Sequence, residues 1–322
     1  MQVLITGGAG FIGSRLTEAL LAKGHAVACI DNFNDYYDPA IKRANLATSL
    51  KNENFKLFES DIVQKDVLEE IFGSTKFDLV VHLAARAGVR PSLEQPLLYQ
   101  KVNVEGTLNI LECCRKYGVK RLLSASSSSV YGLNEKVPFS EEDILQKMAS
   151  PYAATKIAGE SLCSVYNHLY DIEIACLRFF TVYGPGQRPD MAIHKFTRLI
   201  DEGKEIPLYG DGKTKRDYTY IDDIINGMLQ LIDADFNFEI FNLGESRVVE
   251  LHYLVSLIES ALGKKAKIQW LPDQPGDVPV TYADISKAKS FFGYNPQTQI
   301  EEGIEKFIAW YNGRKEKELI SR

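Results

Sequence analysis

Val3-Leu4-Ile5-Thr6-Gly7-Gly8-Ala9-Gly10-Phe11-Ile12-Gly13 runs from an apolar stretch through glycines spaced three apart into residues that suit a helix. A short strand that ends in such a turn and opens a helix brings bare backbone N–H groups and a helix N-terminus to one point, an arrangement that receives a pyrophosphate. Glycine is needed where a Cβ would block that approach. Phe11 to Lys23 reads as the helix, closed by Gly24, and Ala26 to Ile30 as a second strand ending at Asp31, eighteen residues after Gly13. A carboxylate there accepts hydrogen bonds from the adenosine ribose hydroxyls and repels the extra phosphate of NADP. Asn32-Phe33-Asn34 supplies no cation to bind that phosphate, so the pattern predicts NAD. Asp61-Ile62, at the end of the third strand, reads as an edge to the adenine ring and nearly as well as a plain loop aspartate.

Further apolar runs at Phe55 to Phe58, Leu79 to Leu83, Arg121 to Ala125 and Ile172 to Leu177 alternate with helical stretches. That alternation predicts an α/β fold, a Rossmann-type doubly wound parallel sheet buried on both faces. Leu97, Val104, Leu108 and Leu111 recur at helical spacing between Pro96 and Gly118, predicting one long helix. After Arg178 the texture changes, with Gly184-Pro185-Gly186, Pro189, Pro207, Gly210, Gly212, Pro272, Pro275, Gly276 and Pro279 interrupting shorter elements, where substrate loops are expected. Tyr218 to Gly244 still reads as a helix and a strand that return to the sheet. The expected division is therefore a cofactor domain over residues 1–178 joined by 217–244, and a smaller interleaved substrate domain over 179–216 and 245–322. Leu251, Leu254, Val255, Ile258 and Leu262 mark one late helix, and Ile304, Phe307, Ile308 and Tyr311 the last, with fraying expected in the charged tail after Gly313.

The 322 residues are 45% hydrophobic, and 37 basic against 43 acidic side chains leave a net charge of -6, which argues against nucleic acid or an anionic membrane as the main partner. The N-terminus carries no secretory pattern and no apolar run is long enough to span a bilayer, so a cytoplasmic location is expected. Cys29, Cys113, Cys114, Cys163 and Cys176 are odd in number and lack metal-ligand spacing; reduced thiols and no metal site are expected.

Tyr-x-x-x-Lys occurs three times, as Tyr152 with Lys156, Tyr209 with Lys213 and Tyr311 with Lys315, so context must choose among them. Tyr209 runs into Gly-Asp-Gly and Tyr311 lies in the polar C-terminal stretch, whereas Tyr152 follows Pro151 at a helix start, where residues four apart are neighbours. An ammonium at Lys156 near the phenol would favour the phenolate, and the tuned phenol would serve as a general base. Ser126-Ser127-Ser128-Ser129-Val130-Tyr131-Gly132 follows the strand ending at Ala125, at the carboxyl edge where such sheets bind ligands. Taken alone, four serines more often mean a flexible loop than a site.

Together these residues resemble the extended short-chain dehydrogenase/reductases, and within them the nucleotide-sugar epimerases, over essentially the whole chain. Thr6 to Gly13, His82-Leu-Ala-Ala85, Asn103, Ser126 to Gly132, Tyr152 to Lys156 and Arg216-Asp217-Tyr218 stand at that family's motifs. UDP-galactose 4-epimerases are one subgroup and UDP-glucuronate 4-epimerases another. Ala87-Gly88-Val89-Arg90, Arg178 to Pro185, Arg188 to Ala192, Gln274 to Val278 and Thr281 to Asp284 are more similar to the second. Galactose epimerases usually have Asn at position 181 and Arg at 274, where this chain has Thr181 and Gln274; Arg86, Pro91 and Gly186-Gln187 depart from the glucuronate pattern.

The resemblance implies an NAD-dependent UDP-sugar 4-epimerase with tightly bound, regenerated NAD, acting through a 4-keto sugar on UDP-glucuronate. Epimerisation of UDP-glucose or its N-acetyl analogue, and decarboxylation of UDP-glucuronate, stay open as alternatives. It implies catalytic Tyr152, Lys156 and Ser127, and a cofactor site of Gly7, Gly10, Phe11, Ile12, Gly13, Asp31, Asn32, Asn34, Asp61, Ile62, Leu83, Ala84, Ala85 and Asn103 with Tyr152 and Lys156. Arg90, Ser128, Ser129, Thr181, Arg188, Tyr209, Arg216, Gln274 and Asp277 are implied on the substrate side, Arg216 at the UDP pyrophosphate and Arg188 with the hydroxyls at the uronate. The long helix and the Tyr152 helix resemble those that pair in homodimers of the family.

Overall fold

Alternation along the first strand, β1 (Gln2–Thr6), sends Val3 and Ile5 into one apolar cluster and Leu4 into another, so both faces of its sheet need helical cover. In the computed structural model, which describes residues 1–274 and 276–320 with side chains through Arg314, the chain supplies that cover by alternation. It continues through α1 (Phe11–Ala22), β2 (Ala26–Asp31), α2 (Pro39–Asn45), β3 (Phe55–Glu59), α3 (Lys65–Ser74), β4 (Leu79–His82), α4 (Val89–Glu94), α5 (Pro96–Gln100), α6 (Gly106–Tyr117), β5 (Arg121–Ser127), α7 (Pro151–Tyr170) and β6 (Glu173–Phe179). After β7 (Thr181–Tyr183), α8 (Ala192–Asp201), β8 (Glu205–Tyr209), β9 (Lys215–Tyr220) and α9 (Ile221–Ile232), β10 (Phe238–Leu243) returns to pair in parallel with β6. The remaining elements are β11 (Val248–Glu250), α10 (Leu251–Leu262), β12 (Lys267–Leu271), α11 (Ser286–Phe292) and α12 (Ile300–Ile320).

The seven-stranded sheet has the order β10-β6-β5-β4-β1-β2-β3 and is parallel throughout. Strand order reverses between β1 and β4, which opens a crevice beyond their carboxyl ends. Beside it lie a three-stranded sheet, β11-β9-β7, and a parallel pair, β12-β8. Among the described residues no helix is long and apolar enough to cross a membrane. All five cysteines are buried and free.

Two elements differ from their reading. The helix predicted from Pro96 to Gly118 is interrupted by a π-helical turn at Lys101–Glu105 between α5 and α6. The wider turn lets Asn103 aim its amide at two other segments while Thr107 Oγ1 donates to the Asn103 carbonyl at 2.6 Å. Backbone also stays helical past Gly313, through Ile320, where fraying is predicted. The side chains beyond Arg314, Pro275 and residues 321–322 lie outside the described residues.

A buried polar chain ties the two halves together. Arg178 on β6 donates from Nε and Nη2 to both oxygens of Glu160 on α7 at 2.9 and 2.8 Å, and Glu160 also accepts from Ser126 Oγ at 2.5 Å. Arg178 Nη1 donates to the Tyr131 hydroxyl at 3.0 Å, which donates to Asn242 Oδ1 at 2.6 Å. Asn242 then donates to the carbonyls of Phe139 and Asp284 at 2.9 and 3.1 Å. Removing one member of such a pair leaves a charge in the interior without its counter-ion. Glu160→Ala is therefore expected to cost ~3–5 kcal/mol of stability, read as a lower midpoint in urea unfolding.

Candidate functional site

The glycine turn is shaped by contact on several sides. Gly7 has φ +71° and a Cβ there would lie 2.8 Å from the Ala84 nitrogen, while one on Gly13 would lie 2.3 Å from the Gly7 oxygen. The turn therefore packs against β4 and against the first turn of α1 at backbone distance. Gly10 caps α1 with no side-chain cap bond, and the first turn carries no acidic residue. Its N–H groups and the positive end of the helix dipole are left for an anion.

Asp31 closes β2 beside this turn. Its carboxylate accepts from the Ala9 and Phe33 backbone N–H groups at 3.1 and 2.9 Å, while burial raises its pKa against the pull of those bonds and of Lys42. Lys42 is a cation that the Asn32-Phe33-Asn34 reading did not foresee: α2 folds it back so that Nζ donates to the Asn34 carbonyl and side-chain oxygen at 2.9 and 3.2 Å. Asn32 Nδ2 donates to Asp61 Oδ2 at 2.7 Å, which fixes the outer rim.

A cavity of about 440 Å³ begins at this turn and runs along the sheet edge. Gly7, Gly10, Phe11, Ile12, Gly13, Asp31, Asn32, Asn34, Asp61, Ile62, Leu83, Ala84 and Ala85 line its first part, and Ser127, Ser128, Ser129, Tyr152, Lys156, Thr181 and Arg188 line the rest. The serines are an ordered edge, because β5 runs through Ser127 and a 3₁₀ turn takes Ser128–Tyr131. Ser127 Oγ accepts from the Ser129 N–H at 3.2 Å and donates to Ser129 Oγ at 3.1 Å.

Tyr152 is set by the start of α7. Ser150 caps the helix on the Ala153 N–H at 3.2 Å, Pro151 stands in its first turn, and the Tyr152 N–H donates to Ser92 Oγ at 3.1 Å. Four residues on, Lys156 Nζ donates to the Ala125 carbonyl at 2.7 Å. Burial raises the Tyr152 pKa, and hydrogen bonding with Ser127 and the Arg188 charge oppose it. Lys156 is itself pulled down to about 8 by burial, with Glu160 opposing. The amine is thus engaged with the β5 edge rather than with the phenol in this state.

Asn103 lies outside the cavity lining, buried, with Oδ1 accepting from the Arg86 N–H at 2.8 Å and Nδ2 donating to the Arg86 carbonyl and Thr155 Oγ1, each at 3.0 Å. It braces the loop after β4 against α7. His82, in the same motif, spans Thr6 Oγ1 at 2.7 Å and Thr107 Oγ1 at 3.0 Å.

Arg90, Tyr209, Arg216, Gln274 and Asp277 also stand outside the main cavity lining. Arg90 Nη2 donates to Asp277 Oδ2 at 2.7 Å and its guanidinium lies 4.4 Å from the centre of the Tyr209 ring, while Arg216 feels the charges of both Asp277 and Arg90. The Gln274 carbonyl accepts from the Asp277 N–H at 3.2 Å. These residues form a separate polar cluster that joins α4 to the loop after β12. Arg188 is committed too, donating from Nε and Nη2 to the two Asp190 oxygens at 3.0 and 2.7 Å.

Tyr36, Tyr37, Lys42 and Arg86 line the cavity without having been singled out for it. Their segment, Asp31 to Arg43, has no periodicity or glycine motif that marks it, and Arg86 stood out only as a departure.

A profile of the GDP-mannose 4,6 dehydratase family matches residues 4–307. The UDP-glucuronate 4-epimerase of Thermodesulfobacterium geofontis is 45% identical over 308 residues, 95% of each chain. The crystal structure of UDP-glucuronic acid 4-epimerase from Bacillus cereus in complex with UDP-glucuronic acid and NAD superposes with a TM-score of 0.92 at 37% identity, covering 98% of this chain and 100% of that one. The UDP-glucose 4-epimerase of Thermotoga maritima with UDP-glucose superposes at 0.90 and 32% identity, with 98% and 100% coverage.

Burial pulls the His82 pKa down to about 3, so the imidazole is neutral when folded and takes a proton readily once unfolded. Stability from this source is present above about pH 6.5 and is lost as pH falls toward 3. In unfolding measured across that range, His82→Gln is expected to show a flatter acid limb than the unaltered protein.

Proposed function

The chain belongs to the GDP-mannose 4,6 dehydratase family of extended short-chain dehydrogenase/reductases, and we infer that within it the protein is an NAD-dependent UDP-glucuronate 4-epimerase. The observation that carries this reading is one cavity holding the bare start of α1, the Asp31 carboxylate, the Tyr152 phenol, the Ser127 hydroxyl and the Lys156 amine. These groups fit NAD: the Gly7–Gly13 turn and the α1 N-terminus would hold its pyrophosphate, Asp31 the adenosine ribose, and Lys156 the nicotinamide ribose. The chemistry that NAD supplies when bound is reversible acceptance of a hydride from the sugar C4.

Tyr152 takes the proton of the C4 hydroxyl and later returns it, and Ser127 orients that oxygen by hydrogen bonding. A phenol whose pKa is raised by burial holds its own proton tightly, so positive charge beside it is required for the transfer. Lys156, lowered to about 8, needs little rearrangement to exchange a proton at working pH. Thr181, Ser128 and Ser129 donate hydroxyls to the uronate carboxylate at the far side of the cavity, and Arg188, already neutralised by Asp190, adds a donor edge. We place the NAD-binding unit at residues 1–178 with 217–244 and the UDP-sugar unit at 179–216 and 245–322, with Arg90, Tyr209, Arg216, Gln274 and Asp277 at the UDP end. The enzyme works in the cytoplasm as a homodimer in this reading, supported by the exposed apolar side chains Leu97 on α5 and Val165, Leu169 and Tyr170 on α7.

Purified protein given UDP-glucuronate and NAD is expected to form UDP-galacturonate without carbon dioxide; release of a UDP-pentose would replace this reading with a decarboxylase. Tyr152→Phe is expected to lower turnover by about 10²–10⁴-fold, measured by product formation, while still binding NAD. Arg188→Ala should slow UDP-glucuronate more than UDP-glucose, and equal loss on both would move the substrate assignment to a neutral sugar. Light scattering should report two copies per particle, and Leu169→Glu should shift it toward one.

A further inference from the structure

We propose that Arg86 holds phosphate oxygens of the bound dinucleotide, an assignment that rests on the NAD-dependent reading above. The loop that carries Arg86 leaves β4 in contact with the glycine turn, where a Cβ on Gly7 would come within 2.8 Å of the Ala84 nitrogen. Arg86 stands two residues on, its N–H bound to Asn103 Oδ1 at 2.8 Å and its carbonyl to Asn103 Nδ2 at 3.0 Å. The backbone is pinned on both sides, and the residue lines the cavity.

The cationic side chains along that cavity differ in what already occupies them. Lys42 donates to Asn34, and Arg188 is held by both oxygens of Asp190. Among the described residues the Arg86 guanidinium meets no carboxylate and makes no side-chain hydrogen bond; it lies over the Tyr36 ring, 5.7 Å from its centre. Tyr36 is itself fixed, its hydroxyl donating to the Ala87 carbonyl at 2.8 Å. A guanidinium resting on an aromatic face keeps its N–H donors around its edge, in the plane that suits two phosphate oxygens.

The loop of Arg86 packs on the glycine turn, and the Arg86 charge acts on Lys42 together with those of Asp31 and Arg188, whose guanidinium lies 5.3 Å from the centre of the same Tyr36 ring. A helix N-terminus offers only about half an elementary charge to a pyrophosphate that carries roughly two. Arg86 provides the full counter-charge that the glycine turn lacks. The diphosphate of the sugar nucleotide has the same chemistry, and the experiment must tell the two apart.

NAD binding is to be measured by calorimetry on protein stripped of dinucleotide, for the unaltered chain, Arg86→Gln and Arg86→Lys, at low and high salt, with a melting temperature for each. Arg86→Gln is expected to weaken NAD binding by about tenfold or more and to flatten its salt dependence, and Arg86→Lys to recover part of both. The KM for UDP-glucuronate at saturating NAD should move less than the NAD dissociation constant. Unchanged NAD affinity in a folded Arg86→Gln overturns the proposal, as does a rise confined to the UDP-glucuronate KM, which assigns the cation to the sugar nucleotide. Should Arg86→Gln not fold, NAD affinity and salt dependence in Arg86→Lys equal to the unaltered chain's, or lost to the same extent as by a neutral residue, overturn it. An unaltered chain that binds no NAD at all removes the functional reading itself.

Discussion

The bidentate contact of Arg178 with Glu160 fixes the geometry on which the catalytic edge depends. Both side chains are buried, and two charges can be held out of water only when each lone pair and each N–H finds a partner. Glu160 meets that demand with Ser126 and Arg178, and Arg178 with Glu160 and the Tyr131 hydroxyl. Because Ser126 adjoins Ser127, and Glu160 lies one helical turn beyond Lys156, the same contact sets the serine edge against the tyrosine helix. The chain runs on through Asn242 to the carbonyls of Phe139 and Asp284, so the strand that returns from the second half is locked into the first. A sheet whose last strand comes from another part of the sequence needs such a lock, since nothing local holds its register.

The cavity is a place of opposed charges rather than a basic pocket. Asp31 faces the cavity with Lys42 and Arg188, Asp190 pairs with Arg188 from outside the lining, and the tyrosines Tyr36 and Tyr37 line the cavity with them. Burial shifts the phenols up and the Lys156 amine down, each toward its neutral form. In such surroundings a proton at Tyr152 is controlled by whatever cation approaches it. Here Lys156 donates to the Ala125 carbonyl, while hydrogen bonding with Ser127 and the Arg188 charge act on Tyr152 against the effect of burial.

What could be read from order along the chain was local. Glycines three apart after Val3-Leu4-Ile5, Asp31 at the end of the next strand, and Tyr152 four residues before Lys156 after a proline all depend on the periods of strand and helix, and each lies on the cavity. The parallel doubly wound sheet also follows from alternation of short apolar runs with helices, and the strand read at Ile240 to Leu243 does return to it. The π turn at Lys101–Glu105 was not legible, because Leu97 and Val104, seven residues apart across its start, fit the spacing of an unbroken α-helix.

The sequence by itself determined the doubly wound sheet, the phosphate-receiving turn and the residues of the tyrosine helix, since each leaves a local pattern of strand period, helix period or glycine spacing along the chain. Tertiary structure alone decided that Asn103 braces a loop, that Arg90 pairs with Asp277, that Lys42 folds back beside Asp31 and that Arg86 faces the cavity without a carboxylate. Those outcomes depend on which distant segments share a low-dielectric space, and neither burial nor the sum of charges around a group is written in the spacing of residues along the chain.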